Sequence, residues 1–276
     1  MSCIALEVEH LRVILGHRHI IRNVSLTVPG GATVALVGES GSGKTMTTMA
    51  VMGLLPEGMY RTGGRIVVDG QDVDELSPEQ YRQIRNKKVA VVMQNPMSSF
   101  DPILNIFQHF RETLASHADM ERRAIREKAE VALDEVGFAD PKATLELYPF
   151  QMSGGMLQRV MLALALIQSP PLVIADEATS DLDVMSQSRI LKLLKEHCAK
   201  RHLALLIITH DLSVAASMAD EIVLMKDGEL VEYGRTREFF KTPQTLYAKR
   251  LLELHRGLYT DRFLKITSNL VAEATS

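Results

Sequence analysis

The chain has 276 residues, room for one large hydrophobic core or for a core with an inserted lobe. With 46% hydrophobic and 24% charged residues it has a globular composition, and a net charge of −3 gives no general attraction to nucleic acid or anionic lipid. Its two cysteines, Cys3 and Cys198, form neither a metal-ligand spacing nor a disulfide framework, which fits a reducing cytoplasm.

The first part of the chain reads as β. Short strand-like runs at residues 4–8, 11–15, 24–28 and 65–68 are separated by Gly16, Pro29-Gly30-Gly31, Gly63-Gly64 and Asp69-Gly70, which predict turns. Glu7 and Glu9 fall inside the first alternating run, so the N-terminus does not read as a secretory signal. Residues 33–37 predict a buried strand, and residues 46–55 a helix closed by Gly53 and Pro56. Between them stands Gly38-Glu39-Ser40-Gly41-Ser42-Gly43-Lys44-Thr45, which fits G-x-x-x-x-G-K-[ST]. Glycines let successive backbone N–H groups turn inward toward phosphate oxygens, and the helix N-terminus adds partial positive charge. Lys44 is placed to reach the β- and γ-phosphates, and the Thr45 hydroxyl to ligate Mg²⁺. The expectation is a site for a nucleoside triphosphate.

Residues 89–93 predict another buried strand, ending at Gln94-Asn95-Pro96. Gln94, just past that strand, is a candidate for Mg²⁺ or the attacking water. From 105 to 137 the pattern is helical, with Asp119 as a cap and Ile125, Ala129, Ala132, Leu133 and Val136 on one face. Another helix follows Ser153, to about Gln168. The most apolar region, 160–175, is broken by Gln168, Ser169, Pro170 and Pro171 and is too short to span a membrane. Strands at 171–175, 204–208 and 222–226 then alternate with helices at 185–199 and 212–219, before a hairpin to 233 and a polar, mostly helical tail. That alternation predicts a mostly parallel sheet covered on both faces.

The strand at 171–175 ends in Asp176-Glu177, at the sheet edge where ligands of parallel sheets bind. Asp176 is the candidate Mg²⁺ ligand and Glu177 the candidate base that polarises water for in-line attack. His210 leaves the strand at 204–208 at the same edge, which favours a γ-phosphate contact over a purely structural role.

Ser153-Gly154-Gly155-Met156-Leu157-Gln158-Arg159 is a second anion site in form: a hydroxyl, two glycine amides and a helix start. It resembles the signature sequence of ATP-binding-cassette (ABC) ATPases, and with the P-loop, Gln94, Asp176-Glu177 and His210 in order the resemblance covers about residues 4–250. It implies an α/β P-loop NTPase fold: a mostly parallel core sheet, an antiparallel β subdomain and an inserted α-helical subdomain. The ATP-binding domain would span 1–250, with the helical subdomain within about 95–168, and 251–276 would form a short helical tail. Implied cofactors are ATP and Mg²⁺, with Ser153, Gly154 and Gly155 closing over ATP held by a second subunit.

Val92-Met93-Gln94-Asn95-Pro96, Ile174-Ala175-Asp176-Glu177 and the segment from Tyr148 to Met156 look like the nickel/peptide importer branch, its nickel members most. That branch implies uptake of nickel or a related metal chelate, with di- or oligopeptide uptake as the alternative. Implied partners are a second, different ABC ATPase, two membrane permeases and an extracytoplasmic substrate-binding protein. Membrane association is expected only through the permeases, at the cytoplasmic face of the inner membrane, and no nucleic-acid partner is expected. Phe100, Ile103, Leu104 and Phe107 could line a groove for a permease helix or belong to the core. Three departures stand out. Leu15 occupies the place of the adenine-stacking aromatic, leaving His17 or His19 as substitutes; Met156 replaces a glutamine; and Ala178 replaces a proline. Ser180-Asp181-Leu182-Asp183 keeps an aspartate, Asp183, for the dimer seam. A soluble repair or translation ABC ATPase is the runner-up, opposed by the single cassette and the lack of coiled-coil heptads. A regulator without hydrolysis is opposed by Glu177 and His210.

Overall fold

The structure, a computed structural model, describes residues 3–115, 120–178 and 184–258. In chain order the elements are β1 (Ile4–Leu15), β2 (Arg18–Pro29), β3 (Thr33–Val37), α1 (Lys44–Val51), β4 (Met59–Val68), β5 (Gln71–Asp72), α2 (Pro78–Lys87) and β6 (Val89–Met93). They continue with α3 (Ile106–Ala115), α4 (Arg122–Glu135), α5 (Pro141–Glu146), α6 (Gly154–Leu166), β7 (Leu172–Asp176) and α7 (Val184–Arg201). The last are β8 (Ala204–Thr209), α8 (Leu212–Met218), β9 (Glu221–Lys226), β10 (Glu229–Arg235), α9 (Thr236–Lys241) and α10 (Leu246–Leu258). The described residues form two compact units, one from those up to Tyr81 with those from Ala204 onward, and one from those between Arg82 and Leu203.

In the first unit the strand order is β5-β4-β1-β2-β10-β9-β3-β8. β4, β1 and β2 pair antiparallel, whereas β3 runs parallel to both β8 and β9. All five residues of β3 are buried, as expected of a central parallel strand covered on both faces. Ala35, Val37, Leu224, Leu212, Phe239 and Leu252 belong to one buried cluster on this unit. The Asp220 carboxylate accepts from Thr33 N at 2.8 Å, and Thr33 O accepts from Asp220 N at 2.8 Å, which fixes where β3 enters the sheet.

Three expectations change here. The runs at 4–8 and 11–15 are one strand, β1, whose register slips near His10, a residue with φ 49°. Gly63 and Gly64 lie inside β4 and are not a turn. At Gly64 (φ 92°) an added Cβ would sit 2.6 Å from Glu9 O, so glycine is needed where the two irregular strands close on each other. β2 also begins at Arg18, earlier than the run at 24–28, because the pairing of Leu15 with Arg18 closes a tight hairpin.

In the second unit β6 and β7 pair parallel, and the helices α3 to α7 belong with them. α4 buries Ile125, Ala129, Ala132 and Leu133 and ends before Gly137, at φ 82°, with Phe138 N bonded to Leu133 O as in a Schellman cap. Its N-cap is Glu121; Asp119 lies outside the described residues. Phe100 and Phe107 are core side chains, whereas Ile103 is 77% exposed, so the four-residue groove is not formed as a set.

Candidate active site

In the first unit the register of β3 with β8 pairs Val37 with Thr209. Gly38 and His210, the residues directly after that pair, therefore leave adjacent parallel strands at the same edge. The phosphate-loop motif fills the turn between β3 and α1. Gly38 has no room for a side chain: a Cβ would meet Met225 O at 2.4 Å and Ser42 Oγ at 2.7 Å. Gly43 caps α1 at φ 104° with no side-chain hydrogen bond, and no acidic residue stands in the first turn of α1. The helix thus begins on backbone amides with no carboxylate to neutralise them. Lys44 is buried and its Nζ donates to Gly38 O at 2.8 Å and Glu39 O at 2.9 Å, which folds the ammonium over the loop. Ser42 Oγ is buried without a hydrogen-bond partner. Thr45 follows on the first turn, half-buried, and Glu39, Ser40 and Gly41 form the exposed rim. This donor-rich cradle fits a polyphosphate.

Beside the loop lies a cavity of about 300 Å³ lined by Arg18, His19, Ile20, Arg22, Gly41 and Asp227. Of the two candidate substitutes for an aromatic at Leu15, His19 lines this cavity. Leu15 itself is 42% exposed at the end of β1.

In the second unit the register of β6 with β7 pairs Met93 with Asp176. Gln94 and Glu177 therefore emerge side by side at one strand edge, the first exposed and the second half-buried. Glu177 has φ 46°, a left-handed conformation that costs a non-glycine residue on the order of 1–3 kcal/mol and turns the chain sharply out of β7. What holds the two strand ends is Gln158, which the sequence reading placed only within a motif. It is fully buried in α6, and its Nε2 donates to Ala178 O at 2.5 Å and Met93 O at 3.3 Å. With acceptors on both sides, the amide nitrogen must face them. The sequence signal was a glutamine on the inner face of an apolar helix, where a polar side chain needs partners.

Ser153 is the N-cap of α6: its Oγ accepts from Met156 N at 3.3 Å, and the hydroxyl hydrogen is left for another acceptor. Gly154 and Gly155 have open space where a Cβ would be. Arg159 turns away from this end, donating to Gly137 O at 2.8 Å and stacking on Phe138 at 4.3 Å, so it closes the C-terminus of α4. Residues 180–183, with Asp183, lie outside the described residues.

A phosphate loop and an acid-ended strand on mostly parallel strands define the class, a P-loop nucleotide-hydrolysing protein. The ABC transporter family description matches residues 21–180, and the chain belongs to that family. It is 39% identical over 258 residues to the nickel import ATP-binding protein NikD of Pseudomonas putida, covering 94% of this chain and 98% of that one. It is 41% identical over 233 residues to the dipeptide transport ATP-binding protein DppD of Bacillus subtilis, covering 84% of this chain and 70% of that one. The dimeric ATP-binding cassette MJ0796 bound to ADP and Pi superposes with a TM-score of 0.73 at 26% identity, over 84% of this chain and 98% of that one. CbiO1 of Clostridium perfringens shares the fold, with a TM-score of 0.75 over 97% of this chain and all of that one. The chain is an ATP-binding ATPase of the ABC type.

Proposed function

We propose that this chain is the ATP-hydrolysing subunit of an ABC importer that takes up nickel or a related metal chelate. The observation that carries the cargo is the match to a nickel import ATP-binding protein over nearly the whole of both chains. Dipeptide uptake is the second reading, favoured by the 41% identity to DppD.

Within this reading the amides of residues 38–45 and Lys44 hold the β- and γ-phosphates. Thr45, Gln94 and Asp176 offer the oxygen ligands that Mg²⁺ prefers, and the metal when bound neutralises charge on the phosphates. Glu177 accepts a proton from the attacking water as the new oxygen–phosphorus bond forms and the bond to ADP breaks. His210 donates to a γ-phosphate oxygen and fixes its orientation. Ser153, Gly154 and Gly155 serve the ATP of a second ATPase subunit, a different chain. Two permeases and an extracytoplasmic binding protein complete the complex at the cytoplasmic face of the inner membrane. Among the described residues no helix is long and apolar enough to cross a membrane, so attachment falls to the permeases.

The test of the chemistry is Glu177→Gln, which keeps the shape of the side chain and removes the base. ATP affinity should be retained while turnover falls by about a hundredfold or more; near-normal turnover would remove Glu177 from its role. For the cargo, cells lacking this chain should lose uptake of radiolabelled nickel and keep uptake of a dipeptide. The opposite pattern selects the second reading.

A further inference from the structure

The helix α10 lies beyond residues 21–180, the part matched by the family description, yet it contacts the loop after β8 and comes near Glu39 of the phosphate loop in the first unit. Its packing is fixed independently of those loops. Ala248 and Leu252 sit in the buried cluster with Ala35, Val37, Leu212 and Leu224, and Leu251 packs against it.

The first contact is behind His210. Asp211, the next residue, caps α8: its Oδ1 accepts from Ser213 N at 2.7 Å. His255 of α10 brings Nε2 to 3.4 Å from the same Oδ1 and to 3.3 Å from Leu212 N. One imidazole nitrogen therefore meets both the cap side chain and the first amide of the helix that follows His210. Burial pushes the Asp211 carboxyl up, but the His255 and Ser213 hydrogen bonds outweigh it and hold the group below its ordinary value.

The second contact is at the end of β9, near the phosphate loop. Tyr247 stands just over two turns before His255 on α10, about 12 Å along the axis. Lys226 Nζ lies 4.7 Å from its ring centroid. Burial and the Glu39 carboxylate push the Tyr247 phenol up to about 12. The hydroxyl itself is buried.

We propose that α10 is a positioning element for hydrolysis, and that His255, acting through Asp211 and the first turn of α8, sets the orientation in which His210 meets the γ-phosphate. The inference rests on the reading of His210 given above. The physical argument is the length of the tether. Asp211 and Leu212 follow His210 directly, so rotation of the His210 backbone must move the cap or the first amide of α8. Either is held, according to whether Nε2 carries a hydrogen, by one side chain projecting from a helix anchored in the core. Removing that side chain frees the turn and leaves the phosphate loop as it was.

The test compares His210→Ala, His255→Leu and His255→Gln in this chain, measuring kcat and KM for ATP in the assembled complex and the thermal unfolding midpoint of each isolated chain. Leucine fills the space of the imidazole but makes neither polar contact. It should lower kcat about tenfold, the rate equivalent of one lost hydrogen bond, with KM for ATP held within about twofold. Accepting from Leu212 N and donating to Asp211 need opposite protonation of Nε2, whereas the glutamine amide has a donor and an acceptor and should recover most of the rate. Wild-type kcat in His255→Leu overturns the proposal, as do equal losses in the leucine and glutamine variants or a loss of kcat that tracks the unfolding midpoint. If His210→Ala is inactive and His255→Leu is normal, only this inference falls. If His210→Ala turns over normally, the reading of His210 fails and the inference with it.

Discussion

At the scale of single residues, two side chains in the first unit answer to simple measurements. Asp211 is the clearer case for pH. Its folded carboxyl is held below its ordinary value by His255 and Ser213 against the effect of burial, so it contributes stability above its unfolded pKa. That contribution is lost as pH falls through the folded value. Asp211→Asn keeps an oxygen for the α8 cap but loses the charge. Its unfolding midpoint should lie below wild type at neutral pH, and the gap should close as pH falls below about 4. A gap that stays constant across the titration would show that the charge does not matter. His19 is the second. Leu15 is exposed and offers no aromatic face, while His19 lines the cavity beside Gly41. His19→Ala should weaken ATP binding by about 1 kcal/mol, several-fold in Kd, and His17→Ala should leave it unchanged. Equal Kd values for both variants in equilibrium dialysis would leave the base without a partner at either histidine.

At the scale of elements, α6 joins three parts of the second unit. Its N-terminus carries the exposed Ser153, its inner face carries Gln158 bonded to the ends of β6 and β7, and Arg159 closes α4. Motion of α6 along its axis would shift the carbonyls next to Gln94 and Glu177 directly. Gln158→Leu should leave Met93 O and Ala178 O without this donor. We expect a loss of about 2 kcal/mol in unfolding free energy and reduced turnover, with ATP affinity unchanged because the phosphate loop is untouched. Unaltered turnover would separate α6 from the chemistry. α2 is an element that the sequence marks only through its cap. Ser77 and Gln80 form a reciprocal capping box, with Gln80 N donating to Ser77 Oγ at 3.3 Å and Ser77 N to Gln80 Oε1 at 2.9 Å, and Pro78 opens the helix. With so polar a helix no apolar stripe marks it, so only the capping signal was there to be read.

At the scale of the whole molecule, the proposed function includes a second ATPase subunit, whose nucleotide the helix start at Ser153, Gly154 and Gly155 would serve; Ser153 and Gly154 are exposed and Gly155 is half-buried. Ser153→Arg should leave ATP affinity of the isolated chain unchanged and abolish turnover of the assembled complex. Full activity of the isolated chain as a monomer, insensitive to this change, would remove both the shared site and the importer mechanism. Much of this was legible in the linear sequence. The phosphate loop, the strands at 33–37 and 89–93 and the acid pair Asp176-Glu177 are local patterns, set by glycine conformation and by continuous apolar runs, and they are found where the sequence places them. The sequence could not show that β1 is one strand slipping at His10 against Gly64, since a bulge depends on the partner strand and not on the chain that carries it. Nor could it show that Gln158 ties two strand ends 65 and 20 residues away, or that His255 reaches Asp211 across 44 residues. Those contacts join segments distant in sequence, and a hydrogen bond specifies its partner only once packing has put the two atoms within reach.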